Sequence, residues 1–214
     1  MLTPDHPFYE QFVNLLNRLR DRKVLDVGTS QRFAKELAPY HNFFREYHAA
    51  GLDPDRTLDD PCDFDEDITS MTFPNGSFGG IICLEVLEHV YEFHKAVKEI
   101  HRILEKDGEL VLSVPFLTGY HGHHKGPQAR DFQLDSSHKG YSDYFRFTHE
   151  ALYKIFYDVG FQNVTVYPVD GPVLARLEFM LPRGRARPFY RFASLFDHPA
   201  LGRATTRHFV HAVK

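Results

Sequence analysis

Residues Asp67–Val90 read DITSMTFPNGSFGGIICLEVLEHV. Pro74-Asn75-Gly76-Ser77 is a turn, because proline presets φ and glycine supplies φ > 0. The run that follows, Ile81-Ile82-Cys83-Leu84, is apolar without alternation. That is the pattern of a strand buried on both faces of a parallel sheet. Glu85 and Glu88-His89 then stand where this strand ends and a helix begins. In open α/β sheets ligands sit outside the carboxyl ends of the strands, so these polar side chains are expected to face one.

The alternation of strand and helix continues on both sides. Upstream, Phe8, Phe12, Leu15, Leu16 and Leu19 recur at three- and four-residue spacing, which predicts an amphipathic helix over Phe8–Arg20 covering a sheet face. Lys23-Val24-Leu25-Asp26-Val27-Gly28 is a short strand ending in Asp-x-Gly, and Gly28 lets a ligand come close to the backbone. Ser30 is placed to cap the helix carrying Phe33, Ala34 and Leu37. Tyr47–Leu52 reads as a second strand with Asp53 at its end and Asp55 as a nearby competitor. A carboxylate there can accept two hydrogen bonds from a ribose diol. Asp59, Asp60, Asp63, Asp65, Glu66 and Asp67 cluster around a short third strand. They lack the order of a calcium loop, and no metal is assigned to them.

Downstream, Phe93, Val97, Ile100 and Leu104 stripe a helix from about Tyr91 to Leu104, with Lys106-Asp107-Gly108 as its stop signal. Glu109–Pro115 is the next strand. Thr148 caps a helix carrying Leu152, Ile155, Phe156 and Val159, and Gly160 stops it. Val164–Tyr167 and the alternating His208–Val213 are the last two strands.

Asp67, then Phe73-Pro74-Asn75-Gly76-Ser77-Phe78, then Leu84-Glu85-Val86-Leu87-Glu88-His89-Val90 resembles the central signature of class I S-adenosylmethionine-dependent methyltransferases, in their bacterial small-molecule and glycan-associated branch. Gly79 stands where that family has an acid, and Ser30 where its Asp-x-Gly-x-Gly turn has a second glycine. The resemblance implies a Rossmann-like α/β fold: seven mostly parallel strands, the last antiparallel, with helices on both faces. It implies S-adenosylmethionine as cofactor, with Asp26 and Gly28 in the cofactor turn, Asp53 on the ribose, Asp67 on the adenine amino group, Ile68 against the ring and Glu85 bounding the cleft. Methyl transfer from a sulfonium asks the protein mainly for positioning, but an oxygen nucleophile must also lose its proton, a task suited to histidine. His121 is the first candidate base and His89 the second.

Two stretches exceed the minimal fold. Residues 116–147 form a connection too long to lack a purpose, placed as a substrate lid beyond a central strand. It holds Tyr120, His121, His123, His124, His138, Asp143 and Arg146; Tyr120, Asp143 and Arg146 are the candidate acceptor-binding residues. Arg146 could clamp an anionic group or pair with Asp143. Zinc at His121-Gly122-His123-His124 would need three or four converging ligands, and no cysteine pair is near. Residues 170–207 form a second insertion, in which Arg176, Arg183, Arg185, Arg187, Arg191, Arg203 and Arg207 interleave with aromatics and leucines. Such a composition suits an anionic membrane surface or a phosphorylated acceptor, and equally a solvated cap helix or an oligomer contact.

At 214 residues, 43% hydrophobic and 25% charged, the chain suits one domain over residues 1–214. Its net charge of −4 opposes a nucleic-acid-coating role. No apolar run reaches the roughly 20 residues that span a bilayer, and the start MLTPDHPFYEQ carries no secretory pattern, so a cytoplasmic location and reduced Cys62 and Cys83 are expected. The expected function is O-methylation of a small molecule, sugar or glycan–lipid intermediate. A non-catalytic relative of the same fold and a nicotinamide-dependent oxidoreductase are the other classes. The latter would want the G-x-G-x-x-G turn, of which only Gly28 is present.

Overall fold

Strand β4 (Phe78–Leu84) is buried along its whole length, and the sheet extends from it in both directions. It pairs in parallel with β1 (Lys23–Val27) on one side and β5 (Leu104–Pro115) on the other. Beyond β1 come β2 (Glu46–Gly51) and the short β3 (Phe64–Asp65), both parallel. Beyond β5 lies β7 (Arg207–Val213), antiparallel to β5 and to β6 (Gln162–Pro168) at the edge. The order is β3-β2-β1-β4-β5-β7-β6, the largely parallel seven-stranded sheet expected from the sequence. The computed structural model describes residues 4, 6, 8–52, 62–120, 122, 141–180, 189, 192 and 205–214.

Side chains alternate across a strand, and both faces of this sheet are apolar. Leu25, Val27, Ile81, Cys83, Leu110, Leu112, Val210 and Ala212 pack with α3 (Phe93–Ile103) and α4 (His149–Val159) through Val97, Ile100, Leu152 and Phe156. Val24, Ile82, Leu84, Val111 and Phe209 pack on the other face with Phe12, Leu15 and Leu16 of α1 (Tyr9–Asn17) and Leu37 of α2 (Gln31–Leu37). Each fully buried Val, Leu, Ile or Phe among them contributes about 1.5–3 kcal/mol relative to exposure. Ile81 and Ile82 therefore sit in different half-cores, which is why the β4 run does not alternate.

The helix ends follow their caps. Ser30 accepts from the Phe33 amide at 3.4 Å and Thr148 from that of Ala151 at 3.2 Å. Gly160 closes α4 at φ 113°. Gly108 is not a helix stop. Ile103 and Leu104 are both fully buried, and the chain turns extended at Leu104, which pairs with Phe78. Residues 105–108 then bulge before Glu109 pairs with Gly80, and the left-handed residue in the bulge is Asp107 at φ 59°. Gly79 lies at this end of β4, where an added Cβ would meet Arg22 Cβ and Glu105 Oε2 at 3.3 Å. The departure from the family's acid is thus at the edge opposite the carboxyl tips. Cys83 is a buried free thiol, and Cys62 Sγ donates to Thr29 O at 3.8 Å. Among the described residues no helix is long and apolar enough to cross a membrane. Of the second insertion, residues 170–180, which include α5 (Pro172–Met180), are described, together with residues 189, 192 and 205–207.

Candidate active site

The strand order reverses beside β1, where β2 and β4 flank it. At such a reversal the loops leaving the two strands diverge to opposite sides, and a ligand crevice is expected there. Gly28 ends β1 at φ +75°. A Cβ on it would come within 2.5 Å of Val86 Cγ2, and its N–H donates to Ala50 O at 2.7 Å. So this glycine is required by the left-handed turn and by the close seat of Val86, the second residue after β4.

Asp26 is inside. Its Oδ2 accepts from the Tyr47 hydroxyl at 2.7 Å, and burial pushes the carboxyl up to about 6, against the opposing effect of that hydrogen bond. Asp67 shapes the turn after β3: its Oδ1 accepts from the amide and the hydroxyl of Thr69, each at 2.8 Å. Ile68 is buried in the half-core beneath it. Asp53 and His121 lie outside the described residues.

Glu85, at the tip of β4, has φ 56°, a conformation few residues without glycine's freedom adopt. Two bonds hold it there. Its N–H donates to Ser113 O at 3.0 Å, and its Oε1 accepts from Ser113 Oγ at 2.8 Å. Strain of this kind gathers at functional sites. Ser113 was missed in the sequence, although a lone hydroxyl in Leu110-Val111-Leu112-Ser113-Val114 is the signal that could have found it.

The 3-10 turn Leu87–His89 carries the rest. The carbonyl of Glu88 accepts from the amides of Tyr144 at 2.7 Å and Phe145 at 3.3 Å. His89 Nδ1 lies 2.6 Å from Ser142 O, a carbonyl that can only accept, so Nδ1 carries a proton; Nε2 lies 3.6 Å from Glu88 Oε1. The Tyr141 ring stacks edge-on at 4.5 Å. The returning limb of the 116–147 connection is thereby tied to the β4 tip. Arg146 forms a two-pronged pair with Asp143, whose side chain is 1% exposed. It also donates to Phe145 O at 2.8 Å and Gly119 O at 3.3 Å, joining the two limbs of the 116–147 connection. Glu88 and Glu85 add to the field that favours its charge. Tyr120 stands half-exposed beside this pair. The structure brings Glu85, His89, Tyr120, Asp143 and Arg146 to one edge; Asp26 stays in the interior. Among the described residues no group of three or more His, Cys, Asp or Glu side chains could hold a metal ion.

Further along the same edge, His208 is 1% exposed between Phe116 at 5.2 Å and His149 at 6.1 Å. Among the described residues neither ring nitrogen has a hydrogen-bond partner. Burial, with His149 adding, lowers its pKa to about 4. Asp26 and His208 therefore act oppositely on stability. Between pH 4 and 6 the folded chain holds a proton on Asp26 that the unfolded chain releases, so rising pH costs stability. Over the same range it lacks a proton on His208 that the unfolded chain binds, so rising pH adds stability. Each effect is about 3 kcal/mol. Asp26→Asn should rise in stability more steeply than the parent from pH 4 to 6, and His208→Leu should fall. Denaturant titrations at both ends of the range check this; parallel curves for all three proteins would refute it. His208→Leu should also be the more stable protein at pH 7, since it removes two unpaired buried nitrogens.

A family profile described as "Methyltransferase domain" matches residues 6–166. An uncharacterised protein of Methanocaldococcus jannaschii is 25% identical over 185 residues, covering 78% of this chain and 79% of that one. A tRNA U34 carboxymethyltransferase of Desulforapulum autotrophicum is 29% identical over 120 residues; the match covers 49% of this chain and 35% of the relative. The crystal structure of an S-adenosylmethionine-dependent methyltransferase from Archaeoglobus fulgidus superposes with a TM-score of 0.59 at 14% identity, covering 96% of this chain and 90% of that one. At that identity the likeness is one of fold.

Proposed function

The chain belongs to the methyltransferase-domain family, and on that premise we propose that it transfers the methyl group of S-adenosylmethionine to an oxygen of a small molecule, sugar or glycan–lipid intermediate, as in the small-molecule and glycan-associated branch. The observation that carries the reading is the gathering of Glu85, Ser113, His89 and the Asp143–Arg146 pair at the carboxyl tips beside the order reversal. The chemistry of the tips favours this cofactor. Gly28, Thr29, Ser30, Leu52, Glu66, Asp67 and Glu85 follow the ends of β1 to β4, and none is a cation. Carboxylates at these described positions repel a dinucleotide's phosphates and suit an adenosyl sulfonium.

In this reading Asp53 holds the ribose, Asp67 and Ile68 the adenine, and Glu85 closes the cleft. The cofactor, when bound, supplies an electrophilic methyl with its leaving group already in place. The chain's own residues exclude water with the lid, hold the acceptor beside Tyr120 and Arg146, and take its proton. His121 is the assigned base, with His89 Nε2 the alternative acceptor.

Calorimetry with S-adenosylmethionine and S-adenosylhomocysteine tests the reading: both should bind, and NADH should not. Binding of neither adenosyl ligand points to a non-catalytic member of the family, and binding of NADH to an oxidoreductase. Asp53→Ala should weaken the affinity for both adenosyl ligands by about 1.5–3 kcal/mol, the scale of hydrogen bonds to a charged group. An unchanged dissociation constant removes Asp53 from the site.

A further inference from the structure

The tip of β4 carries strain that a glycine there would avoid. Glu85 stands at φ 56°, where a residue with a Cβ is disfavoured about tenfold and glycine is at ease. Its carboxylate is also aimed. Ser113, 2% exposed on β5 and in register with Leu84, donates from Oγ to Glu85 Oε1 at 2.8 Å. A hydroxyl among Leu110, Val111, Leu112 and Val114 forgoes apolar packing to make that bond. No described residue donates to the other carboxylate oxygen, Oε2. Arg146, a cation whose charge the Glu85 carboxylate favours, has both terminal nitrogens on Asp143.

The place of this carboxylate in the sheet suggests what it serves. β4 stands between β1, which ends in the Gly28 turn, and β5, whose end at Pro115 leads into the 116–147 connection. In the methyl-transfer reading the adenosine belongs to the tips of β2 and β3 and the acceptor to the far side of β4. The sulfur that gives up the methyl then belongs to the tip between them.

We propose that Ser113 is a positioning residue that holds the Glu85 carboxylate toward the sulfonium of the donor, so that the site tells donor from product by charge. This rests on the methyl-transfer reading. S-adenosylmethionine and S-adenosylhomocysteine share the purine, the ribose and the amino-acid group. They differ in one methyl and in the charge on sulfur, positive in the donor and absent in the product. A carboxylate fixed in advance and partly withdrawn from water attracts a cation more strongly than a mobile, hydrated one. It gains nothing from a neutral thioether, so the same device that holds the donor lets the product leave.

Calorimetry of the full chain with each adenosyl ligand tests this. Ser113→Ala should weaken binding of S-adenosylmethionine about fivefold and Glu85→Gly about tenfold, near the lower end of the scale for bonds to a charged group. Both variants should bind S-adenosylhomocysteine as the parent does. Ser113→Thr, which keeps the hydroxyl on a residue suited to strands, should restore the affinity for the donor. Adding Ser113→Ala to Glu85→Gly should cost no further affinity, because the hydroxyl acts through the carboxylate. A second readout needs no ligand. In urea, Glu85→Gly/Ser113→Ala should unfold at or above the parent's midpoint, since it releases the left-handed strain and leaves no orphaned hydroxyl.

Equal losses for donor and product would place Glu85 on the amino-acid group they share and overturn the proposal. So would a further loss from Ser113→Ala in the Glu85→Gly background, or failure of threonine to restore the affinity. A double variant that unfolds below the parent would make the pair a structural one and overturn it too. If the parent binds neither adenosyl ligand, the methyl-transfer reading falls and this proposal with it. If the parent binds both and the variants keep its preference, only this proposal falls.

Discussion

Gly28→Ala should lower stability by about 2–5 kcal/mol. Two costs add. A residue with a Cβ held at φ +75° loses about 1–2 kcal/mol to the left-handed backbone, and the methyl lands 2.5 Å from Val86 Cγ2, an overpacking of the kind that costs about 1–3 kcal/mol. The costs separate experimentally. In Gly28→Ala/Val86→Ala the steric part should be relieved and the backbone part should remain, leaving a deficit beyond that of Val86→Ala alone. Urea unfolding of the four proteins of the cycle measures both. If Gly28→Ala unfolds at the parent's midpoint, the strained turn is wrong. If the double variant is as stable as Val86→Ala, the left-handed constraint is absent. The expectation from the sequence was that Gly28 admits a ligand to the backbone; the structure adds a neighbour, Val86, that uses the same space.

The second large effect concerns proton removal. His121→Ala should reduce turnover by on the order of 10²–10⁴, the usual contribution of a positioned base, while the calorimetric affinity for S-adenosylmethionine stays unchanged. Transfer of tritiated methyl from the cofactor into a small-molecule and lipid extract provides the readout. His89→Ala should do less, because the Nδ1 bond to Ser142 O makes its ring an anchor of the 116–147 connection. His89→Asn, whose side-chain amide can still donate to that carbonyl, should restore much of the loss. Should the larger loss fall on His89 and asparagine fail to restore it, Nε2 of His89 is the base. Undiminished turnover in His121→Ala removes that residue from the chemistry.

Much of the scaffold was legible beforehand for a simple reason. A strand buried on both faces has few alternatives, and Ile81-Ile82-Cys83-Leu84 carries no polar residue to turn outward. Caps were legible because Ser30, Thr148 and Gly160 act within one helical turn of themselves. Glycine at position 108 reads as the stop after α3, whereas burial of Ile103 and Leu104 decides where the helix ends. Arg146 shows the limit of reading a polar residue by type: a guanidinium near a cleft reads as an anion clamp or as half of an ion pair, and its bonds to Asp143 and Gly119 O are visible only in three dimensions.

The amino-acid order by itself determined the alternation of strands and helices, the two half-cores and the edge at which polar side chains collect. Those features depend on hydrophobic period and local backbone preference, which act over a few residues. Only the tertiary structure decided which polar groups meet there: Glu85 with Ser113, His89 with Ser142 O, His6 with Asp170, and His208 with no hydrogen-bond partner among the described residues. Most of these groups lie tens of residues apart in sequence, and their directions depend on strand register and on single backbone angles such as the positive φ of Glu85. No local pattern encodes such pairings.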